Sequence, residues 1–140
     1  MKVLVIQGAD MELRGIENVA VFGPETLDEI NADIRARADE LGLGVEIFHS
    51  NDEAEVVAEI ARLAAEIDAF IINPSGFTVT EGPLPDAIEA LDVPSYEVHA
   101  SNPSARGVVS TLLPKCTGAI CGFGYAGYGM ALEAIARSGR

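Results

Sequence analysis

Short apolar runs alternate along the chain with longer amphipathic stretches. The apolar runs have strand length and end in turn residues, and they predict strands at Lys2–Gly8, Val45–Ser50, Ala69–Pro74, Ser95–Ala100 and Gly118–Gly122. The stretches between them predict helices at Thr26–Leu41, Asn51–Ile67, Pro83–Leu91 and Ala126–Arg137. Strands that alternate with helices predict an α/β fold, a flavodoxin-like doubly wound five-stranded parallel sheet with helices on both faces.

Two features of the connections refine this prediction. Thr26 with Glu29, and again Ser50 with Glu53, have the spacing of a capping box at the start of a helix.

Residues 9–25 join the first strand to the first helix, whereas such connections usually take about two to six residues. This long segment carries several charged side chains, and we interpret it as a lid over a polar site.

Composition narrows the class of protein. The 140 residues are 49% hydrophobic and 22% charged, which is typical of a single globular domain spanning residues 1–140. The net charge of −13 argues against a nucleic-acid partner, and the apolar runs are too short for a membrane partner. The N-terminus has no signal-peptide cleavage site, so we expect a cytoplasmic location. An anionic ligand would have to be bound locally, by Arg14, Arg106 or backbone N–H groups.

Two motifs are set aside. Two cysteines (Cys116 and Cys121) and two histidines (His49 and His99) do not have the spacing of a zinc site, so we expect free thiols and no metal. Gly122–Gly127 matches the Gly-x-Gly-x-x-Gly pattern. The acidic residue that a dinucleotide-binding unit needs further along is missing, so we interpret the motif as a close-packed turn.

The candidate chemistry lies where the strands end. Glu97 and His99 are two residues apart in a strand, so they point to the same face, and the carboxylate can orient the imidazole for proton transfer. Taken alone, the pair is more typical of a buried ion pair on a strand, and the polar residues at other strand ends favour the catalytic interpretation. Polar residues also follow two other strands, at Gly8–Asp10 and Asn73–Gly76. Because the carboxyl ends of parallel strands meet at one edge, these groups predict a small-molecule site.

The assembled features resemble the type II 3-dehydroquinate dehydratases of the shikimate route, over nearly the whole chain. The matching positions, all in the expected order, are Asn73-Pro74, Pro94, Glu97-Val98-His99, Ser101-Asn102, Ala105-Arg106 and Gly118 through Gly127. The resemblance implies a trans elimination of water from 3-dehydroquinate through an enolate, without a cofactor, in trimers packed into dodecamers. It also implies site roles: His99 is the acid, Glu97 orients it, Asn73 contacts substrate or water, and Ser101 and Asn102 bind the substrate carboxylate. Arg106 is a further candidate substrate-binding residue.

The chain departs from the family pattern at the residues that remove the proton from the substrate. Phe22 stands where the family has its catalytic tyrosine, Glu17 where it has an arginine, and Val79 where it has a histidine. A phenyl ring has no ionisable proton, so another group must act as the base. A carboxylate in a closed, partly dry site is a stronger base than in water. Our candidates are Glu17 first, followed by Asp10 and Glu12.

Three functions are consistent with this pattern. The chain dehydrates 3-dehydroquinate with a carboxylate base, or it uses His99 and Glu97 on a different carbonyl or hydroxy-acid substrate, or it is a non-catalytic binding or scaffold protein. Each enzymatic alternative has a small-molecule carboxylate or carbonyl compound as its partner. Loss of activity in His99→Ala separates both enzymes from the binder.

Overall fold

Five parallel strands form one sheet, in the order β2-β1-β3-β4-β5, in the computed structural model, which describes residues 1–139. The strands are β1 (Lys2–Ala9), β2 (Gly44–His49), β3 (Ala69–Ser75), β4 (Ser95–His99) and β5 (Gly118–Cys121). This order and direction confirm the predicted flavodoxin-like sheet. The two central strands, β1 and β3, are buried along nearly their whole length, as parallel strands covered on both faces should be.

Helices cover both faces of the sheet, which confirms the predicted layers. The helices are α1 (Val19–Phe22), α2 (Leu27–Glu40), α3 (Glu53–Leu63), α4 (Leu84–Glu89) and α5 (Ala126–Ser138). Because side chains alternate along a strand, Val3 and Val5 of β1 pack with α2 and α5 on one face. Leu4 and Ile6 pack with α3 and α4 on the other face. Within residues 1–139, no helix combines the length and the apolar composition needed to cross a membrane.

The capping box predicted at Thr26 is confirmed. The hydroxyl of Thr26 accepts a hydrogen bond from the backbone N–H of Glu29 at 3.2 Å, and the Glu29 carboxylate accepts one from the backbone N–H of Thr26. Two otherwise unpaired backbone donors of α2 are therefore satisfied, which fixes where the first connection ends.

The second capping box, Ser50 with Glu53, was wrong. Asp52 is the N-cap of α3, and its carboxylate accepts a hydrogen bond from the backbone N–H of Ala54 at 2.9 Å. The Ser50 hydroxyl instead accepts from the backbone N–H of Asp52, and Glu53 turns away to accept from the backbone N–H at the start of α4. An aspartate two residues closer to the helix outcompetes the serine, because its short carboxylate reaches the free N–H groups directly.

The first connection, residues 10–26, is folded rather than open. It forms a 3-10 helix at Met11–Leu13 and then α1, and Met11 is buried in the core. Its start is tied to the turn between β2 and α3, because the side-chain oxygen of Asn51 accepts a hydrogen bond from the backbone N–H of Asp10 at 2.8 Å. The opening and closing of this segment as a lid stays a prediction.

Two glycines permit close backbone packing. A Cβ atom on Gly8 would lie 2.0 Å from the carbonyl oxygen of Pro74, so only glycine fits where β1 ends beside β3. A Cβ atom on Gly127 would lie 3.0 Å from a methyl carbon of Val98 and 3.3 Å from one of Ile120. Only the last glycine of the motif is therefore closely packed, whereas Gly122 and Gly124 have positive φ angles and no atom closer than 3.9 Å to a Cβ position.

Candidate active site

A cavity of about 420 Å³ opens at the carboxyl ends of β1, β3 and β4. This is the edge at which the sequence predicted a site, and where ligands bind in doubly wound sheets. The side chains that line it come from the first connection, the end of β3 and the segment that follows β4. The polar and charged ones are Asp10, Arg14, Glu17, Asn18, Asn73, Ser75, Thr78, His99, Ser101 and Arg106.

The imidazole of His99 lies on the cavity wall and is held from behind by Glu97. Nε2 of His99 is 3.0 Å from Oε2 of Glu97, and both side chains are buried. The other carboxylate oxygen of Glu97 accepts a short hydrogen bond from the hydroxyl of Ser110. The carboxylate does not itself line the cavity, so any contact with a ligand runs through His99.

Both thiols of the chain lie near Glu97 and are free. Burial raises the pKa of Cys116 to about 12, and the negative charge of Glu97 adds to the effect. The same two causes raise the pKa of Cys121, which is half-buried on the edge strand β5. Neither thiol is therefore a nucleophile at neutral pH.

Asn73 is fixed by a buried hydrogen-bond network. Its side-chain amide donates to the hydroxyl of Tyr128 at 3.0 Å, and that hydroxyl donates to Oε1 of Gln7 at 2.7 Å. The amide of Gln7 in turn donates to Asn31 on α2. Burial raises the pKa of Tyr128 well above its usual value, so the hydroxyl keeps its proton and acts as a donor. The network leaves the carbonyl oxygen of Asn73 for the cavity.

Arg14 is a buried cation that no carboxylate neutralises within the described part of the chain. Its side chain is 6% exposed, and Nη2 donates to the hydroxyl of Ser75 at 2.8 Å. The guanidinium carbon lies 3.9 Å from the centre of the Phe22 ring, in a cation–π contact. Nε is buried without a hydrogen-bond partner. A buried charge with a free donor is typical of a group that receives an anionic ligand.

Two carboxylates line the same cavity as this cation. Asp10 and Glu17 both line it and both are exposed, which is where the sequence predicted candidate bases. Glu12, the third candidate, lies outside it. Its carboxylate contacts His49 at 3.0 Å and accepts from Asn51 at 2.8 Å, and these contacts, the Asn51 hydrogen bond foremost, lower its pKa.

The segment after β4 brings two of its three predicted binding residues to the cavity. Nη1 of Arg106 donates to the hydroxyl of Ser101 at 2.8 Å, and both side chains line the cavity. Asn102 does not line it, because it is exposed at the start of the 3-10 helix Pro103–Arg106. The family resemblance implied Asn102 as a ligand of the substrate carboxylate, but at the turn into the 3-10 helix it is exposed to solvent.

Two residues that hold the site in place were missed by the sequence analysis, namely Ser110 and Tyr128. Tyr128 is close to the glycine-rich motif, and a polar tip on an otherwise apolar helix face was the available signal. Ser110 had none, because it lies in a segment without regular structure. Among residues 1–139, no cluster of three or more His, Cys, Asp or Glu side chains has a geometry that could hold a metal ion.

Comparisons with known proteins agree on one family. The family model described as Dehydroquinase class II matches residues 1–136. The 3-dehydroquinate dehydratase of Caldicellulosiruptor bescii is 41% identical over 138 residues, covering 96% of this chain and 95% of the relative. The crystal structure of type II dehydroquinase from Propionibacterium acnes has a TM-score of 0.92 at 30% identity, covering 97% of this chain and 96% of that one. The crystal structure of a 3-dehydroquinate dehydratase-like protein from Bifidobacterium longum has a TM-score of 0.78 at 31% identity, covering 100% of this chain and 98% of that one.

Proposed function

The chain belongs to the class II dehydroquinase family, and from this premise we propose that it eliminates water from 3-dehydroquinate to give 3-dehydroshikimate. The substrate is a hydroxy ketone that carries a carboxylate. Its dehydration removes a proton beside the ketone and a hydroxide from the neighbouring carbon, so it needs an acid, a base and a site for an anion. The observation that carries the proposal is the buried Glu97–His99 pair on the wall of a cavity that also holds two guanidinium groups.

His99 is the acid that protonates the departing hydroxyl. Its ring lines the cavity, and the 3.0 Å contact with Glu97 stabilises the charged imidazolium that must be present before the proton is given up. Burial of the pair strengthens this attraction, because few water molecules screen it. Glu97 orients the ring.

Arg14 and Arg106 bind the negative charge of the substrate. The chain has a net charge of −13, so an anion is attracted only where cations are concentrated, and these two side chains face the same cavity. The hydroxyl of Ser101, fixed by Arg106, adds a hydrogen-bonding group beside the carboxylate. Asn73 contacts the substrate or a bound water through its free carbonyl oxygen.

Glu17 or Asp10 takes the proton beside the ketone. The Phe22 ring cannot do so, and it is already occupied by the Arg14 guanidinium. Both carboxylates line the cavity, and neither forms an ion pair within residues 1–139, so each is free to approach a substrate. Glu17 lies on the connection we interpret as a lid, so closure would carry it toward the ketone.

The test of the proposed function is direct turnover. Purified protein is mixed with 3-dehydroquinate, and the ultraviolet absorbance of the conjugated enone product is followed. We expect steady turnover that His99→Ala lowers by about 10²- to 10⁴-fold, the range for loss of a general acid. The matched control is His49→Ala, because His49 lies outside the cavity. No turnover by a folded wild-type sample would contradict the proposal and favour a different substrate of the same scaffold.

The identity of the base is tested with isosteric amides. Glu17→Gln should lower kcat about 10²- to 10⁴-fold while the substrate still binds. Asp10→Asn should retain most of the wild-type kcat. The reverse pattern assigns the base to Asp10. Equal, small effects of both variants would exclude Glu17 and Asp10 as the base.

We further propose that the chain assembles into homo-oligomers, a trimer or a dodecamer, as the family resemblance implies. Large apolar side chains on its surface support this proposal, among them Val109 at 79% and Phe123 at 62% exposure. Light scattering after size-exclusion chromatography would give the mass, and a monomer at micromolar concentration would contradict the assembly.

A further inference from the structure

We propose that Ser110 is a positioning residue that fixes the proton arrangement of the Glu97–His99 pair. The inference rests on the proposed function, since it concerns how the acid of that reaction is prepared. Ser110 lies 13 residues from Glu97, in a segment between two 3-10 helices, Pro103–Arg106 and Leu113–Lys115.

The hydrogen bonds of the Ser110 hydroxyl leave it only one direction in which to donate. A serine hydroxyl has one hydrogen and two lone pairs. Here the oxygen accepts from the backbone N–H groups of Leu112 at 3.1 Å and Leu113 at 3.2 Å. With both acceptor positions occupied, the hydrogen points to the remaining partner, Oε1 of Glu97. Ser110 is therefore a fixed donor to the carboxylate, and Oε1 cannot carry a proton.

When Glu97 is ionised, its second oxygen, Oε2, is also an acceptor. Glu97 is 1% exposed. The two nearby thiols, Cys116 and Cys121, stay protonated, because burial and then the charge of Glu97 raise the pKa of each. An ionised carboxylate can only accept, so Nε2 of His99 must carry the hydrogen along the 3.0 Å contact. Nδ1 is left as the nitrogen that gains and loses the catalytic proton. Ser110 thus selects the tautomer of His99.

The segment that carries Ser110 is held firmly enough for this role. The backbone N–H of Thr111 donates to the carbonyl of Thr78 at 2.9 Å, and its hydroxyl donates to the carbonyl of Thr80 at 2.7 Å. These bonds join the segment to the chain just after β3. The alignment of the acid therefore depends on β4 and on this segment together.

The test is the tautomer of His99, measured by ¹⁵N NMR on labelled protein. The chain has two histidines, so His49→Ala assigns both sets of signals. In the wild-type protein we expect neutral His99 to be protonated on Nε2. Ser110→Ala should produce a measurable fraction of the Nδ1-protonated form and lower kcat about 10- to 100-fold at nearly unchanged KM, the effect of losing one hydrogen bond to a charged group. Ser110→Thr, which keeps the hydroxyl, should restore both, and Ser104→Ala, which changes an exposed serine nearby, should alter neither.

Several results would overturn the inference. Wild-type His99 protonated on Nδ1 would do so even if Ser110→Ala failed to fold, and so would an unchanged tautomer and kcat in Ser110→Ala. The NMR measurement needs no substrate, so it separates the two proposals. An altered tautomer in Ser110→Ala, with no wild-type turnover of 3-dehydroquinate, would refute the proposed reaction and leave the positioning of His99 standing.

Discussion

Replacing Tyr128 with phenylalanine should cost about 2–4 kcal/mol of the free energy of unfolding. The hydroxyl is buried and joins two other buried groups, Oε1 of Gln7 at 2.7 Å and the side-chain amide of Asn73 at 3.0 Å. Tyr128→Phe removes no carbon atom, so packing is preserved. A buried polar group left without a partner costs about 1–3 kcal/mol. The variant leaves two such groups, on Gln7 and Asn73, and local relaxation reduces the sum of the two costs.

The measurement is urea unfolding at pH 7, followed at one fixed protein concentration so that assembly contributes equally to each sample. The chain offers a matched control in Tyr125→Phe. The Tyr125 hydroxyl is buried without a hydrogen-bond partner, and the two rings lie 6.5 Å apart in a stacked arrangement. Its removal should change the free energy of unfolding by no more than about 0.5 kcal/mol, or stabilise the protein.

Tyr128→Phe also tests whether the hydrogen-bond network of Tyr128, Gln7 and Asn73 contributes to turnover. Without the Tyr128 hydroxyl, the Asn73 amide is free to rotate, so turnover of 3-dehydroquinate should fall in Tyr128→Phe and persist in Tyr125→Phe. A loss of stability below about 0.5 kcal/mol in Tyr128→Phe, or equal losses in the two variants, would refute the reasoning that unpaired partners dominate the cost.

Three further outcomes are expected. Arg14→Met should raise KM about 10- to 150-fold, because a hydrogen-bonded ion contact with the substrate is lost, and the exposed Arg35→Met should leave KM unchanged; equal KM values in steady-state kinetics would contradict this. Burial raises the pKa of Cys116 from 9.0 to about 12, so above pH 9 the folded protein keeps a proton that the unfolded chain releases. The free energy of unfolding should therefore fall between about pH 9 and pH 12. The fall should be less steep in Cys116→Ala, which lacks the thiol. Gly8→Ala should lower the thermal midpoint by several degrees or prevent folding, because its Cβ would lie 2.0 Å from the Pro74 carbonyl oxygen, whereas an unchanged midpoint would show that β1 can move away.

Sequence alone predicted the layers of the fold and one half of the site, because both depend on local patterns. The apolar runs of β1 and β3 are short and continuous, and the two-residue spacing of Glu97 and His99 places both on one face whatever the rest of the chain does. The position of Arg14 could not be derived in this way. Its guanidinium enters the cavity through contacts with Phe22 and with Ser75, which is 61 residues away.

The parts that sequence could not supply share one physical property. Ser110 and Tyr128 act through single hydrogen bonds to residues distant in sequence, and no periodicity records such a pairing. The incorrect capping box at Ser50 shows the same limit at short range. There, several side chains compete for the same few backbone N–H groups, and small differences in reach decide which one binds.

The network around Tyr128 also has a consequence for biosynthesis. Gln7 lies on β1, and its hydrogen-bond partner Tyr128 is synthesised 121 residues later. At elongation speeds of about 5–20 residues per second, the ribosome needs about 6–24 s to add those residues. Throughout that interval, the centre of the sheet contains a polar amide with no native partner at Tyr128, so the early strands cannot complete their burial. The nascent chain is therefore expected to stay loosely packed, and open to chaperones, until α5 has emerged and docked.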